Sequence, residues 1–206
     1  MIKKIVLILT VILIISLFAE EMSFTDIQTC YYKSYKYETS EKYSKAIDAL
    51  KDVFTNFPNT YTVNYRLGWL YYLDGKYANA LEHLESALLI YPSSLEVLNT
   101  INLLYVARED WEEVEEQSAQ ILQIDYYNEY ANYWYSYSLK MQQKYDLAIK
   151  VNRKMLTIFP TSVTYLQELA ENLFLNDEKD ESKQIFETII ILDPTNTTAT
   201  TYLEKF

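Results

Sequence analysis

The four prolines of this chain, Pro58, Pro92, Pro160 and Pro194, are separated by 34, 68 and 34 residues. Three prolines falling by chance into the phase of the first has odds of about one in 40,000 at such a period, so the chain reads as a tandem array. The missing member of the series falls at Tyr126. Two glycines and four prolines leave little material for hairpins, so the repeated unit is expected to be helical.

Other columns align in the same frame. Tyr37, Tyr71, Tyr105, Leu139 and Leu173 form one, and Tyr43, Tyr77, Trp111, Tyr145 and Lys179 a second. Small residues hold a third at Ala46, Ala80, Val114, Ala148 and Ser182, and apolar ones a fourth at Val53, Ala87, Ile121, Met155 and Ile189. Apolar residues recur at spacings of three and four in both halves of each unit, with a polar break such as Leu73-Asp74-Gly75-Lys76 between them. That pattern specifies two amphipathic helices per unit. Capping-box patterns place helix starts at Thr25 with Gln28 and at Ser93 with Glu96.

The second unit carries Asn64-x2-Leu67-Gly68-x2-Tyr71, then Ala80-x3-Leu84, then Pro92. This resembles the tetratricopeptide repeat pattern W-x2-L-G-x2-Y, A-x3-F and P. The resemblance implies an all-α, α-α superhelix (solenoid) of about five helix-turn-helix repeats. They occupy residues 27–60, 61–94, 95–128, 129–162 and 163–196. The stretch 197–206, TTATTYLEKF, is expected to form a short closing helix over the last unit's apolar edge. Lys33 and Lys179 depart from their columns in the terminal units, as end repeats do, and Asn102, Ser118 and Tyr126 make the third unit the most divergent.

Both glycines have architectural explanations. Gly68 lies in the small-residue column Ser34, Gly68, Asn102, Ser136 and Ala170, where the two helices of a unit approach closely. Gly75 falls in the interhelix turn, where a positive φ is expected.

Residues 1–19 read as an export signal: Lys3 and Lys4, an uncharged apolar run Ile5–Phe18, then Ala19. The run is shorter than the roughly 20 residues of a spanning helix. Leu17 is a poor cleavage-site residue, so the segment is either removed or kept as an anchor, placing the chain in a periplasmic, extracellular or inner-membrane-anchored location. Residues 20–26 form a leader. From Glu20 onward, 16 basic residues face 29 acidic ones, a net charge of −13. Such a surface disfavours nucleic acid and anionic membranes, leaving an uncleaved N-terminal segment as the only expected membrane contact. Cys30 is the sole cysteine, which excludes an intrachain disulfide and multi-cysteine metal sites. It reads as a small residue packed in the first helix.

With one histidine, His83, no HExxH motif can form, and two glycines cannot supply a nucleotide-binding loop. No serine stands in GxSxG or three before a lysine. The expectation is a non-enzymatic protein with no cofactor and no metal. Acids cluster in residues 108–116 and 176–181, where they complement helix N-termini and favour solubility.

The family resemblance implies that first-helix residues four apart face the concave groove. The columns are Tyr31, Tyr65, Asn99, Tyr133 and Gln167, then Tyr35, Trp69, Leu103, Tyr137 and Glu171, with Tyr72 and Tyr130 nearby. The candidate ligand-binding residues are therefore Tyr31, Tyr35, Tyr65, Trp69, Tyr72, Tyr130, Tyr133 and Tyr137. Tyrosine and tryptophan bury large areas at little entropy cost and keep a polar handle, as interfaces need. The same rings could instead pack against neighbouring helices, a reading that stands beside the first. Relatives that clamp C-terminal carboxylates use lysine, asparagine and arginine in this groove. The aromatics found here do not support that specificity. The expected partner is an extended or helical segment of another protein, with an envelope glycan or self-assembly through the solenoid ends as alternatives.

Overall fold

The computed structural model describes residues 22–206, so the segment read as an export signal and the first residues read as a leader lie outside the described part. The helices are α1 (Phe24–Glu38), α2 (Tyr43–Asp48), α3 (Lys51–Asn56), α4 (Tyr61–Leu73), α5 (Tyr77–Leu88), α6 (Leu95–Arg108), α7 (Trp111–Ile124), α8 (Glu129–Met141), α9 (Tyr145–Leu156), α10 (Val163–Leu175), α11 (Lys179–Leu192) and α12 (Thr197–Leu203). No strand occurs among the described residues. They form two compact units, one running to Ile90 and one spanning Tyr91–Phe206.

The 34-residue frame is visible in the helix starts. Second helices begin at Tyr43, Tyr77, Trp111, Tyr145 and Lys179, one full column of the sequence. Between first and second helix the backbone takes a left-handed conformation at Glu41, Gly75, Glu109, Gln143 and Asp177, again one column. The following N–H then reaches back five residues, Lys76 to the Tyr71 carbonyl at 2.9 Å and Lys144 to that of Leu139 at 2.8 Å. This is a Schellman closure, which satisfies carbonyls that the end of the helix leaves over. Gly75, at φ +71°, is the one member of the column without a Cβ penalty.

Gly68 serves close approach instead. A Cβ there would lie 2.6 Å from Leu84 Cγ and 3.3 Å from the Ala80 carbonyl oxygen, so α4 and α5 meet over bare backbone. In the third unit the equivalent pair is Asn102 and Ser118, joined by a hydrogen bond from Asn102 Nδ2 to Ser118 Oγ at 3.1 Å. A polar pair replaces a small-large pair, and α6 and α7 stay unbroken. The divided helix is elsewhere: the first unit's second helix is interrupted at Ala49–Leu50.

Ala46, Ala80, Val114 and Ala148 are fully buried, as are Ala87, Ile121, Met155 and Ile189. Cys30 is half-buried against the first of these cores. At the C-terminal end Ala199 of α12 packs with Leu166, Ala170, Phe186 and Ile189, and Tyr202 stacks on Phe186.

Two caps differ from the sequence expectation. Ser23 rather than Thr25 caps α1, accepting from the Asp26 N–H, and Ser94 rather than Ser93 caps α6, accepting from Val97. The capping residue must be extended while the next residue turns helical, a requirement that the spacing of a serine to a glutamate does not encode. The absent proline at Tyr126 leaves its turn intact. Asn132 Nδ2 donates to the Tyr126 carbonyl at 3.1 Å, as Asn64 Nδ2 does to that of Pro58 at 2.7 Å.

Candidate binding face

In the first compact unit, which runs to Ile90, Tyr31 and Tyr35 stand on α1, and Tyr65, Trp69 and Tyr72 on α4. Tyr35 is 60% exposed, and the other four are half-buried. Tyr65 stacks on Tyr61, and Trp69 lies 5.6 Å from Tyr72, which reaches Tyr77. The indole N–H of Trp69 donates to Glu38 Oε1 at 2.7 Å, and Arg66 pairs with the other oxygen of that carboxylate. Trp69 thus spends its polar handle inside the molecule and presents mainly its ring. Tyr31 lines a cavity of about 240 Å³ with Ile27, Val53, Phe57, Thr60 and Thr62. Burial raises its phenol pKa, against the Thr62 hydroxyl and Arg66.

In the second compact unit, Tyr91–Phe206, α8 gathers the aromatics tightly. Tyr133 lies 6.1 Å from Tyr137, and Trp134 touches Tyr130, Tyr133 and Tyr137 at 6.3, 5.0 and 5.6 Å. Trp111 of α7 adds a ring 5.5 Å from Tyr137. Tyr130 and Tyr133, with Glu129, Thr164 and Tyr165, line a cavity of about 370 Å³. Tyr165 closes its floor, its hydroxyl donating to the Glu129 carbonyl at 2.6 Å.

Beside these rings sits a buried ion triad. Lys140 Nζ lies 2.9 Å from Glu168 and 2.8 Å from Glu171, with side-chain exposures of 10%, 5% and 14%. Burial alone would lower the lysine's pKa, but the two carboxylates outweigh it and raise it. Burial likewise lifts Glu168 above the ordinary carboxylate value, with Lys140 opposing. Lys140 also stands 4.7 Å over the Tyr137 ring.

The triad and the Glu38 cluster share one design. Each places a residue near the end of a first helix against residues 28 and 31 further on, in the next first helix. Glu38 meets Arg66 and Trp69, whereas Lys140 meets Glu168 and Glu171, with the charges exchanged. These staples, with Trp134, Tyr165 and Glu129, escaped the sequence reading. The period itself carried the signal, since both staples occupy the same three columns.

His83 is structural. Its Nδ1 lies 3.0 Å from Asn64 Oδ1, and its ring sits against Phe54 and Tyr71. Burial lowers its pKa. Among the described residues no group of three His, Cys, Asp or Glu side chains could hold a metal ion, and no helix is long and apolar enough to cross a membrane.

Residues 36–94 match the tetratricopeptide repeat family model. A crystal structure of a tetratricopeptide repeat protein from Parabacteroides merdae superposes with a TM-score of 0.80 at 21% identity, over 88% of this chain and 72% of that one. The fold is that of the tetratricopeptide-repeat proteins. A crystal structure of MamA gives a TM-score of 0.72 at 18% identity over 82% of this chain and 92% of its own. MamA from Desulfovibrio magneticus gives 0.75 at 14%, over 85% and 99%. At these identities the likeness is one of tetratricopeptide fold. No curated protein matches the chain.

Proposed function

We propose that the chain is a non-enzymatic, exported scaffold or adaptor that binds a segment of another protein on the aromatic face of its first helices. The observation that carries this reading is the cluster on α8, where Tyr130 and Tyr133 border an open cavity instead of filling it. Rings held against one another lose little entropy on binding, and they combine apolar area with a hydroxyl that can hydrogen-bond. The apolar segment Ile5–Phe18 supports export, to the periplasm or beyond the cell, or retention at the inner membrane if it stays attached.

Capture from an envelope extract tests the reading. Residues 20–206 serve as bait beside the combined Tyr65→Ala, Trp69→Ala and Tyr133→Ala variant. A protein retained by wild type and lost by a still-helical variant is the expected result. Equal capture by both removes the aromatic face from the account, and capture that survives protease treatment of the extract points to a glycan.

A further inference from the structure

The cavity of the second compact unit has a counterpart in the first. Three periods separate Glu129, Tyr133 and Thr164 from Ile27, Tyr31 and Thr62, and each set lines a cavity, the earlier one lined also by Val53, Phe57 and Thr60. A gap is therefore built twice at one place in the frame, but with different linings: Glu129, Tyr130 and Tyr165 stand where the earlier copy has Ile27, Gln28 and Val63.

We propose that the cavity of the second unit is an anchor pocket for an arginine side chain of the bound protein segment, a specificity that rests on the function proposed above. Tyr130, Tyr133 and Tyr165 supply ring faces, on which a planar, weakly hydrated guanidinium stacks well. The exposed Glu129 carboxylate has no ion-pair partner among the described residues and stands at the same cavity. None of the lining residues is basic, and the nearby Lys140 is neutralised by Glu168 and Glu171. At about 370 Å³ the space lies at the small end of ligand pockets, which run from about 300 to 1,000 Å³, so it suits one long side chain. The chain's net charge of −11 favours encounter with basic segments.

The test uses an eight-residue Gly/Ser host peptide with arginine, leucine or glutamate at its centre, titrated into isotopically labelled protein. The arginine peptide is expected to shift the amide resonances of Tyr133 and Thr164, and to bind about tenfold more weakly to Glu129→Gln and to Glu129→Ile, the latter carrying the residue that stands at the equivalent position 27. Circular dichroism of both variants checks that they fold. Leucine binding this pocket as tightly as arginine, unchanged arginine affinity in Glu129→Gln, or no shift at these amides would each overturn the proposal. If the captured partner still depends on the three aromatics while arginine preference fails, the scaffold reading stands and the anchor alone is wrong.

Discussion

Each turn between first and second helix passes through a left-handed residue, and four of the five are not glycine. A side chain there costs about 1–2 kcal/mol, while glycine gives back about 0.5–1 kcal/mol of chain entropy. Glu109→Gly and Gln143→Gly should therefore each stabilise by up to about 1 kcal/mol, and Gly75→Ala should destabilise comparably. For a chain of this size that is a melting shift of about 2–4 °C, readable by thermal unfolding. Gly68→Ala has the opposite sign from an ordinary helix substitution. Its methyl would meet Leu84 Cγ at 2.6 Å, and such overpacking costs about 1–3 kcal/mol.

At the scale of helices, the staple through Lys140 joins α8 to α10. Lys140→Ala leaves Glu168 buried without its counter-charge, an expected loss of about 3–5 kcal/mol in urea unfolding. Replacing all three by Met, Leu and Leu should be close to neutral. The pH dependence separates the two cases. Glu168 already has a raised pKa, so its contribution is full below the unfolded value of 4.5 and declines as pH rises through the folded one. Removing Lys140 lifts that folded value further, so Lys140→Ala should lose stability progressively from about pH 5 upward, and the triple variant should not. The helices themselves were legible because a proline column filled in four of five units and a small-residue column recur every 34 residues, at the turns and close approaches between helices. The staples were less so, because Glu38 and Lys140 fill one column with opposite charges and a column defined by contact has no fixed residue type. Trp134 was hidden for a related reason: it lies one residue beyond Tyr133, off the four-residue spacing used to trace the groove, yet its wide ring reaches Tyr130, Tyr133 and Tyr137.

Across the described molecule, burial raises the phenol pKa of Tyr31, Tyr72, Tyr133, Tyr135, Tyr165 and Tyr202. A group whose folded pKa is raised stabilises below its unfolded value, here 10.0, and loses that contribution as pH climbs toward the folded one. Lys140 acts in the same sense above 10.5. Stability should therefore fall steeply above about pH 10, with part of the tyrosinate absorbance appearing only as the helical signal is lost. Full tyrosine ionisation in a still-helical protein would contradict this.

The central claim is that binding energy resides in the first-helix rings. The most direct measurement is calorimetric titration of the captured partner segment into wild type and into the combined Tyr65→Ala, Trp69→Ala and Tyr133→Ala variant. Interface hot spots cost about 2 kcal/mol or more apiece, so the account predicts a rise in Kd of at least about a hundredfold with helicity retained. A Kd unchanged within a factor of two would contradict it.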